Sequence, residues 1–141
     1  MKLNISDFED IMLEAFKNDL EFVLPLHGTS MNPFFHTGDQ VVLKKSEVYK
    51  KLDCVLYKRE NGQYVFHRIL KIKKNIYYIA GDNQTTLEEV NDNQILAKMI
   101  GYIIDGKHHK NDNKKFKLFS FLWQSFLLRK IYHLLKRTRQ N

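Results

Sequence analysis

The first apolar pattern along the chain has the period of a helix. Between Phe8 and Phe16, apolar side chains recur three or four positions apart. The preceding Ser6-Asp7-Phe8-Glu9 has the form of a capping box, and acidic residues near a helix start complement the helix dipole. The pattern therefore predicts an amphipathic helix over about 7–20.

From residue 21 to residue 105 the pattern changes to that of β-strands. Short runs rich in β-branched and aromatic residues are separated by turn sequences. The predicted strands are 21–26, 40–44, 53–58, 64–73, 76–80 and 95–104. Runs at this spacing favour a small barrel or coiled sheet over alternating strands and helices, so the fold class is predicted to be mainly β.

Helical periodicity returns near the C-terminus. A polar stretch over 106–115 is predicted to be a linker, and a segment rich in aromatic residues and leucine follows it. The apolar residues that share one helical face there are Phe119, Leu122, Trp123, Phe126, Ile131, Leu134 and Leu135. The predicted organisation is an N-terminal helix (1–20), a β domain (21–105), the linker, and a basic, aromatic, amphipathic helical tail (116–141).

Positive charge is concentrated in this tail. The net charge is +7, and residues 107–141 contain ten Lys or Arg but only one acidic residue, Asp112. Such a tail favours an acidic partner surface, or it is a solvated segment. Its apolar face has two interpretations: it packs against the β domain, or residues 116–139 lie on a membrane surface. Nucleic acid is a less favoured partner, because the roughly 20 residues before the β domain are too few for a helix-turn-helix unit.

The cysteine content and the N-terminus bear on the compartment. Cys54 is the only cysteine, so no internal disulfide forms, and its apolar neighbours predict a buried side chain. The N-terminus lacks the apolar stretch of a signal peptide, and no run of apolar residues is long enough to span a bilayer. The expected location is cytoplasmic, with peripheral association at the membrane surface as the alternative.

Three short segments are candidates for chemistry. In the turn over 28–33, Gly28 permits close approach of a substrate carbonyl, and a proline stiffens the chain after Ser30, although most serines in such turns are only turn residues. Strand alternation places His67 among apolar neighbours, where most histidines are only structural, but imidazole is also a suitable base for a weak nucleophile such as serine. The carboxylate of Asp82 either orients an imidazole or bonds only within its own turn.

Together these segments resemble the superfamily of type I signal peptidases and LexA-type serine peptidases. The pattern G-x-S-M-x-P (28–33), then G-D-x-V (38–41), then a strand with a base before Arg68, then G-D-N (81–83), has that family's order. A histidine at the position before the arginine resembles the endoplasmic-reticulum and sporulation-type branch, which uses histidine as its base. The resemblance implies a small signal-peptidase-like (LexA-type) fold, with Ser30 as nucleophile, His67 as general base and Asp82 as supporting acid.

The resemblance also implies an oxyanion and substrate-binding site at Gly28, Thr29 and Met31. Signal peptidases usually carry a serine at the position of Gly28, so oxyanion stabilisation would depend on backbone N–H groups, including that of Ser30. The third member of the triad is left open between Asp82 and Glu88.

Other chemistries are less favoured. The adjacent lysines at 44–45 are an alternative base, but they are more typical of a solvated strand end. His108 and His109 have no cysteine or carboxylate at ligand spacing, so neither a metal nor another cofactor is expected.

The predicted function is that of a serine endopeptidase that cleaves a signal- or leader-type peptide from a peptide or precursor-protein substrate. The substrate would be an extended peptide along a strand edge, and the resemblance implies small residues before the cut. The alternative is a catalytically inactive relative that acts as a regulatory or binding module.

Overall fold

The computed structural model describes residues 8–140, and the first element is a helix, α1 (Glu9–Lys17). Met12 and Phe16 project from one side of α1 into the core, as the apolar period predicts. The helix is shorter than predicted, because Asn18 already leaves helical geometry and Asp19 has a positive φ of 57°. Ser6 of the predicted capping box lies outside the described residues.

The body of the protein is an antiparallel sheet of eight strands. They are β1 (Phe22–Pro25), β2 (Gln40–Lys44), β3 (Cys54–Lys58), β4 (Tyr64–Lys73), β5 (Ile76–Ala80), β6 (Glu88–Asn91), β7 (Ile95–Ile104) and β8 (Lys107–Lys110). Their order is β1-β2-β7-β3-β4-β5-β6, with β8 paired to β7. Register shifts interrupt the β2–β7, β3–β7 and β4–β5 pairs, and such bulges bend and curl a sheet. The mainly β fold predicted from the sequence is confirmed.

Both faces of the sheet are buried around β3. Cys54 and Leu56 pack into one apolar cluster with α1, while Val55 and Tyr57 pack into a second cluster on the opposite face. Burial raises the pKa of the Cys54 thiol to about 12, so this cysteine is an inert core residue, as predicted.

Two strands were not predicted from the sequence. Both β6 and β8 are short and polar, and they form because they pair with β5 and β7. The predicted linker over 106–115 is therefore wrong: the sheet continues through β8, and the next helix begins at Lys114.

The single helical tail predicted over 116–141 is also wrong, because the structure contains two helices, α2 (Lys114–Trp123) and α3 (Phe126–Gln140). The Asn113 side chain caps α2 by accepting a hydrogen bond from Phe116 N at 2.9 Å. After the break, the hydroxyl of Ser125 accepts from Leu128 N at 3.4 Å and begins α3. Among the described residues, no helix is long and apolar enough to cross a membrane.

Candidate active site

The Ser30 turn is fixed by hydrogen bonds to two other segments. Gly28, in left-handed geometry at φ 87°, donates its N–H to Thr37 Oγ1 at 3.1 Å, and the same hydroxyl donates to Gly28 O at 3.0 Å. Asn83 N donates to Ser30 O at 2.9 Å. Ser30 is half-buried and borders a cleft of about 670 Å³.

The serine turn and the histidine strand meet at Gly81. A methyl group added at Gly81 would lie 2.6 Å from Ser30 O and 3.0 Å from His67 Nε2. These two atoms are therefore no farther apart than the sum of those distances. Only glycine fits between them, because a Cβ atom would clash with the Ser30 backbone. The structure thus places the Ser30 backbone near the His67 ring, and both residues line one cleft.

The other ring nitrogen of His67 faces a chain of polar side chains. Nδ1 lies 3.4 Å from the hydroxyl of Tyr57, which donates to Glu88 Oε1 at 2.8 Å. Arg59 holds Glu88 through two charged hydrogen bonds, of 2.8 Å from Nε and 2.7 Å from Nη2. Sequence reasoning left Glu88 open as the third member and missed Tyr57 and Arg59.

The surroundings of His67 favour the neutral imidazole. Burial, and then the positive charge of Arg59, lower its pKa to about 4. Burial and the hydrogen bond to Glu88 raise the pKa of Tyr57, so this phenol keeps its proton. The hydrogen bond from Arg59 lowers the pKa of Glu88, so the carboxylate stays charged. At neutral pH the group is therefore a neutral histidine, a neutral tyrosine and an Arg–Glu ion pair.

Asp82 does not make the predicted orienting contact with His67. Its carboxylate accepts from Arg68 Nε at 2.9 Å and from Arg68 Nη2 at 3.0 Å, and both side chains are completely buried. The physical reason is strand alternation, because His67 and Arg68 are consecutive residues of β4 and point to opposite faces. The carboxylate that reaches His67, through Tyr57, is Glu88.

The residues predicted for oxyanion and substrate binding occupy different environments. The N–H of Gly28 donates a hydrogen bond to Thr37, whereas the N–H of Ser30 has no acceptor within residues 8–140. Met31 is a core residue that also lines the cleft, and Thr29 is exposed outside the cleft lining. Ser30 N–H is therefore the candidate oxyanion donor.

The cleft lies between two strand edges. Among residues 8–140, β1 pairs only with β2, so no described strand lies on its other edge. Residues 64–67 of β4 pair with β3, while pairing with β5 begins only at Arg68. Both segments line the cleft, and apolar side chains form its floor, among them Leu24, Leu26, Met31, Phe35, Leu56 and Phe66. The alternative bases at 44–45 are not in this lining.

The C-terminal helices brace the turn that follows β5. Arg129 is fully buried, and its Nη1 donates to Gly81 O at 2.6 Å and to Gln84 O at 2.9 Å. Trp123 Nε1 donates to Asp82 O at 2.7 Å. The inner side of the tail therefore packs on the β domain next to the candidate site. Leu122, Ile131, Leu134 and Leu135, which the sequence placed on the same apolar face, are exposed instead.

A curled antiparallel sheet that brings a serine turn and a histidine strand together at one cleft is the architecture of a serine-peptidase-like domain. The family model described as Peptidase S24-like matches residues 3–104, so the chain belongs to the Peptidase S24-like family. No curated protein matches the chain. The family supports the predicted superfamily and suggests a serine-peptidase-like function, while the histidine-using branch stays a prediction.

Proposed function

We propose that the protein is an active serine peptidase in which Ser30 is the nucleophile and His67 is the general base. The observation that carries this proposal is the shared contact with Gly81, which lies against both Ser30 O and His67 Nε2. The two residues are 37 positions apart in sequence, and the fold places the serine turn beside the imidazole at one cleft. A serine becomes nucleophilic when a base lies within hydrogen-bond reach of its hydroxyl.

The hydrogen bonds around Tyr57 support His67 in the tautomer that a general base requires. A phenol has one proton, and the proton of Tyr57 is donated to Glu88. Toward His67 the phenol oxygen is then only an acceptor, so Nδ1 carries the hydrogen and Nε2 is left with its lone pair. Nε2 is the nitrogen beside Ser30.

The proposed reaction follows acyl transfer chemistry. Ser30 Oγ attacks the peptide carbonyl while His67 Nε2 accepts its proton, and Ser30 N–H stabilises the oxyanion. The imidazolium then protonates the leaving amine, which breaks the C–N bond and leaves an ester on Ser30. Water, deprotonated by His67, cleaves that ester and restores the serine. Glu88 acts through Tyr57 to stabilise the transient imidazolium.

The substrate is proposed to be an extended segment of a signal- or leader-type peptide. The edges of β1 and of residues 64–67 that no described strand pairs offer backbone hydrogen bonds to a peptide strand placed between them. Alternate side chains of such a strand point toward the apolar floor of the cleft. Small or apolar residues at alternate positions before the cut fit this floor.

The test is cleavage of candidate leader peptides by the wild type, Ser30→Ala, His67→Ala and the double variant. Each single variant should lose several orders of magnitude in kcat/KM, and the double variant should lose little more, because the two groups act as one unit. Thermal unfolding of each variant shows that the fold is retained. Undiminished turnover in either single variant contradicts the assignment, and a folded wild type that cleaves no peptide favours the inactive binding module.

A further inference from the structure

The outer side of the C-terminal helices is apolar, opposite to the usual arrangement of a helix on a protein surface. Leu127, Ile131, Leu134 and Leu135 follow one stripe of α3 and are 44–67% exposed. The opposite side of α3 carries the completely buried Arg129, which is bonded to the turn after β5. The orientation of α3 is therefore fixed by a cation toward the protein, and its leucines face outward.

The outer side of α2 is also apolar. Leu118, Phe121 and Leu122 are spaced three and four positions apart and are 44–63% exposed. Together with the stripe of α3, they account for seven of the exposed large apolar side chains, as many as in the rest of the described chain. A monomer rarely leaves such a concentration in water, so this surface indicates a partner.

Positive charge flanks the apolar stripes. Where the exposure of the two helices is described, over 114–138, the exposed basic residues are Lys114, Lys115, Lys117, Lys130 and Arg137. Residues 113–141 contain no acidic residue. Two copies of this surface would repel each other, which disfavours a second copy as occupant. Nucleic acid supplies negative charge but no apolar phase for four leucine-type side chains on one stripe.

We propose that α2 and α3 form an interfacial docking surface for an anionic lipid bilayer. Lipid is the partner that offers both a layer of negative headgroups and an apolar interior beneath it. With 15 residues, α3 is too short to span a bilayer and lies in the plane of its surface. The apolar stripes enter the headgroup boundary, and the flanking lysines and arginine contact the phosphates.

Docking in this orientation leaves the inner face of the helices bound to the β domain. Trp123 and Arg129 keep their bonds to the turn at 81–84, so the cleft is held close to the bilayer surface. This inference does not depend on peptidase activity, because the docking surface shares no residue with the Ser30–His67 site.

The test is flotation of the full chain with vesicles made from equal parts of phosphatidylcholine and phosphatidylglycerol. The Ser30→Ala protein serves as the parent, so that binding is measured without turnover. We expect binding that weakens with added salt and is at least tenfold weaker on pure phosphatidylcholine. The double variant Leu134→Gln/Leu135→Gln should lower the partition coefficient about a hundredfold, and Lys130→Glu/Arg137→Glu about thirtyfold or more.

Matched variants control for exposure and charge elsewhere. Ile11→Gln/Val48→Gln removes equally exposed apolar side chains, and Lys73→Glu/Lys74→Glu reverses two exposed charges that lie outside the two helices. Both should bind as the parent does, and circular dichroism should be unchanged in every variant.

Equal binding to neutral vesicles, no binding to either vesicle, or wild-type binding by Leu134→Gln/Leu135→Gln each overturn the proposal. Lipid-independent dimers or complexes with an acidic polymer that the leucine variant abolishes would assign the surface to those partners instead.

Discussion

Two consecutive residues of β4 are used in opposite ways. His67 presents Nε2 to the cleft and keeps one long contact, of 3.4 Å, through Nδ1. Arg68 is buried on the other face, where Asp82, the hydroxyl of Ser120 at 2.5 Å and Leu52 O at 3.2 Å accept its hydrogen bonds. Phe116 and Phe119 cover its guanidinium at 5.2 and 5.7 Å.

The difference separates reactivity from stability within one strand. A group that must gain and lose a proton needs an unsatisfied atom and access to substrate. A buried cation needs every donor satisfied, since an unpaired buried charge is strongly destabilising. Asp82 belongs to the buried ion pair, although the resemblance to the peptidase family placed it in the catalytic site.

The largest expected effect comes from breaking the Arg68 side. Asp82→Asn leaves Arg68 without its buried counter-charge and removes the charge 3.5 Å from Arg129 Nη2. The free energy of unfolding should fall by about 3–5 kcal/mol, measured by urea unfolding at neutral pH. His67→Gln is the matched control and should change that free energy by about 1 kcal/mol or less while abolishing turnover. A stable Asp82→Asn protein with lost activity would place Asp82 in the catalytic machinery.

The next test adds a methyl group between the Ser30 turn and the strand that carries His67. Gly81→Ala puts a methyl group 2.6 Å from Ser30 O and 3.0 Å from His67 Nε2. Because the serine turn or the histidine strand must shift to relieve these contacts, kcat/KM should fall about a hundredfold in the folded protein. Gly101→Ala is the control, because its methyl group would be equally crowded, 2.7 Å from His109 O, but far from the cleft. Equal loss of kcat/KM in both variants would mean that crowding acts only through stability.

Removing the phenol oxygen should have a smaller effect. Tyr57→Phe deprives His67 Nδ1 of its acceptor, so the tautomer with Nε2 free is no longer favoured. We expect kcat/KM to fall by about tenfold, with little change in stability. Tyr77→Phe removes a phenol that is likewise bonded to a carboxylate, that of Asp92, but lies outside the cleft lining. An unchanged rate in Tyr57→Phe would exclude the relay through Glu88.

The smallest effects are shifts of the acid limb of the pH profile. Since burial lowers the pKa of His67 to about 4, kcat/KM should stay high down to weakly acid pH and fall as the pH drops through about 4. Arg59 lowers this pKa and Glu88 raises it. Arg59→Met should therefore move the limb to higher pH, and Glu88→Gln to lower pH. Shifts in the same direction would contradict this electrostatic account.

Much of the sheet follows from local pattern. The predicted bounds 40–44, 64–73, 76–80 and 95–104 coincide with β2, β4, β5 and β7, because alternating apolar residues and turn sequences determine these strands locally. β6 and β8 have the sequences EEVN and KHHK, which carry no such pattern. They become strands only because a neighbouring strand offers unpaired backbone groups.

The site was predictable to the extent that its chemistry is local. Ser30 and His67 lie in short segments with recognisable chemistry. Finding Tyr57 required the register of the β3–β4 hairpin, in which Val55 faces His67 and Tyr57 is its diagonal neighbour. The role of Arg129 could not be predicted from the sequence, because its partners Gly81 and Gln84 are more than 40 residues away along the chain.

The most direct measurement is the rate of covalent labelling by a fluorophosphonate probe, with the modified residue identified by mass spectrometry. The dyad requires that the wild type is labelled at Ser30, with a rate that falls below about pH 4 as His67 gains a proton, and that folded His67→Gln is labelled at least a hundredfold more slowly. Labelling of His67→Gln at the wild-type rate, or no labelling of the folded wild type, would show that the hydroxyl and the imidazole do not act together.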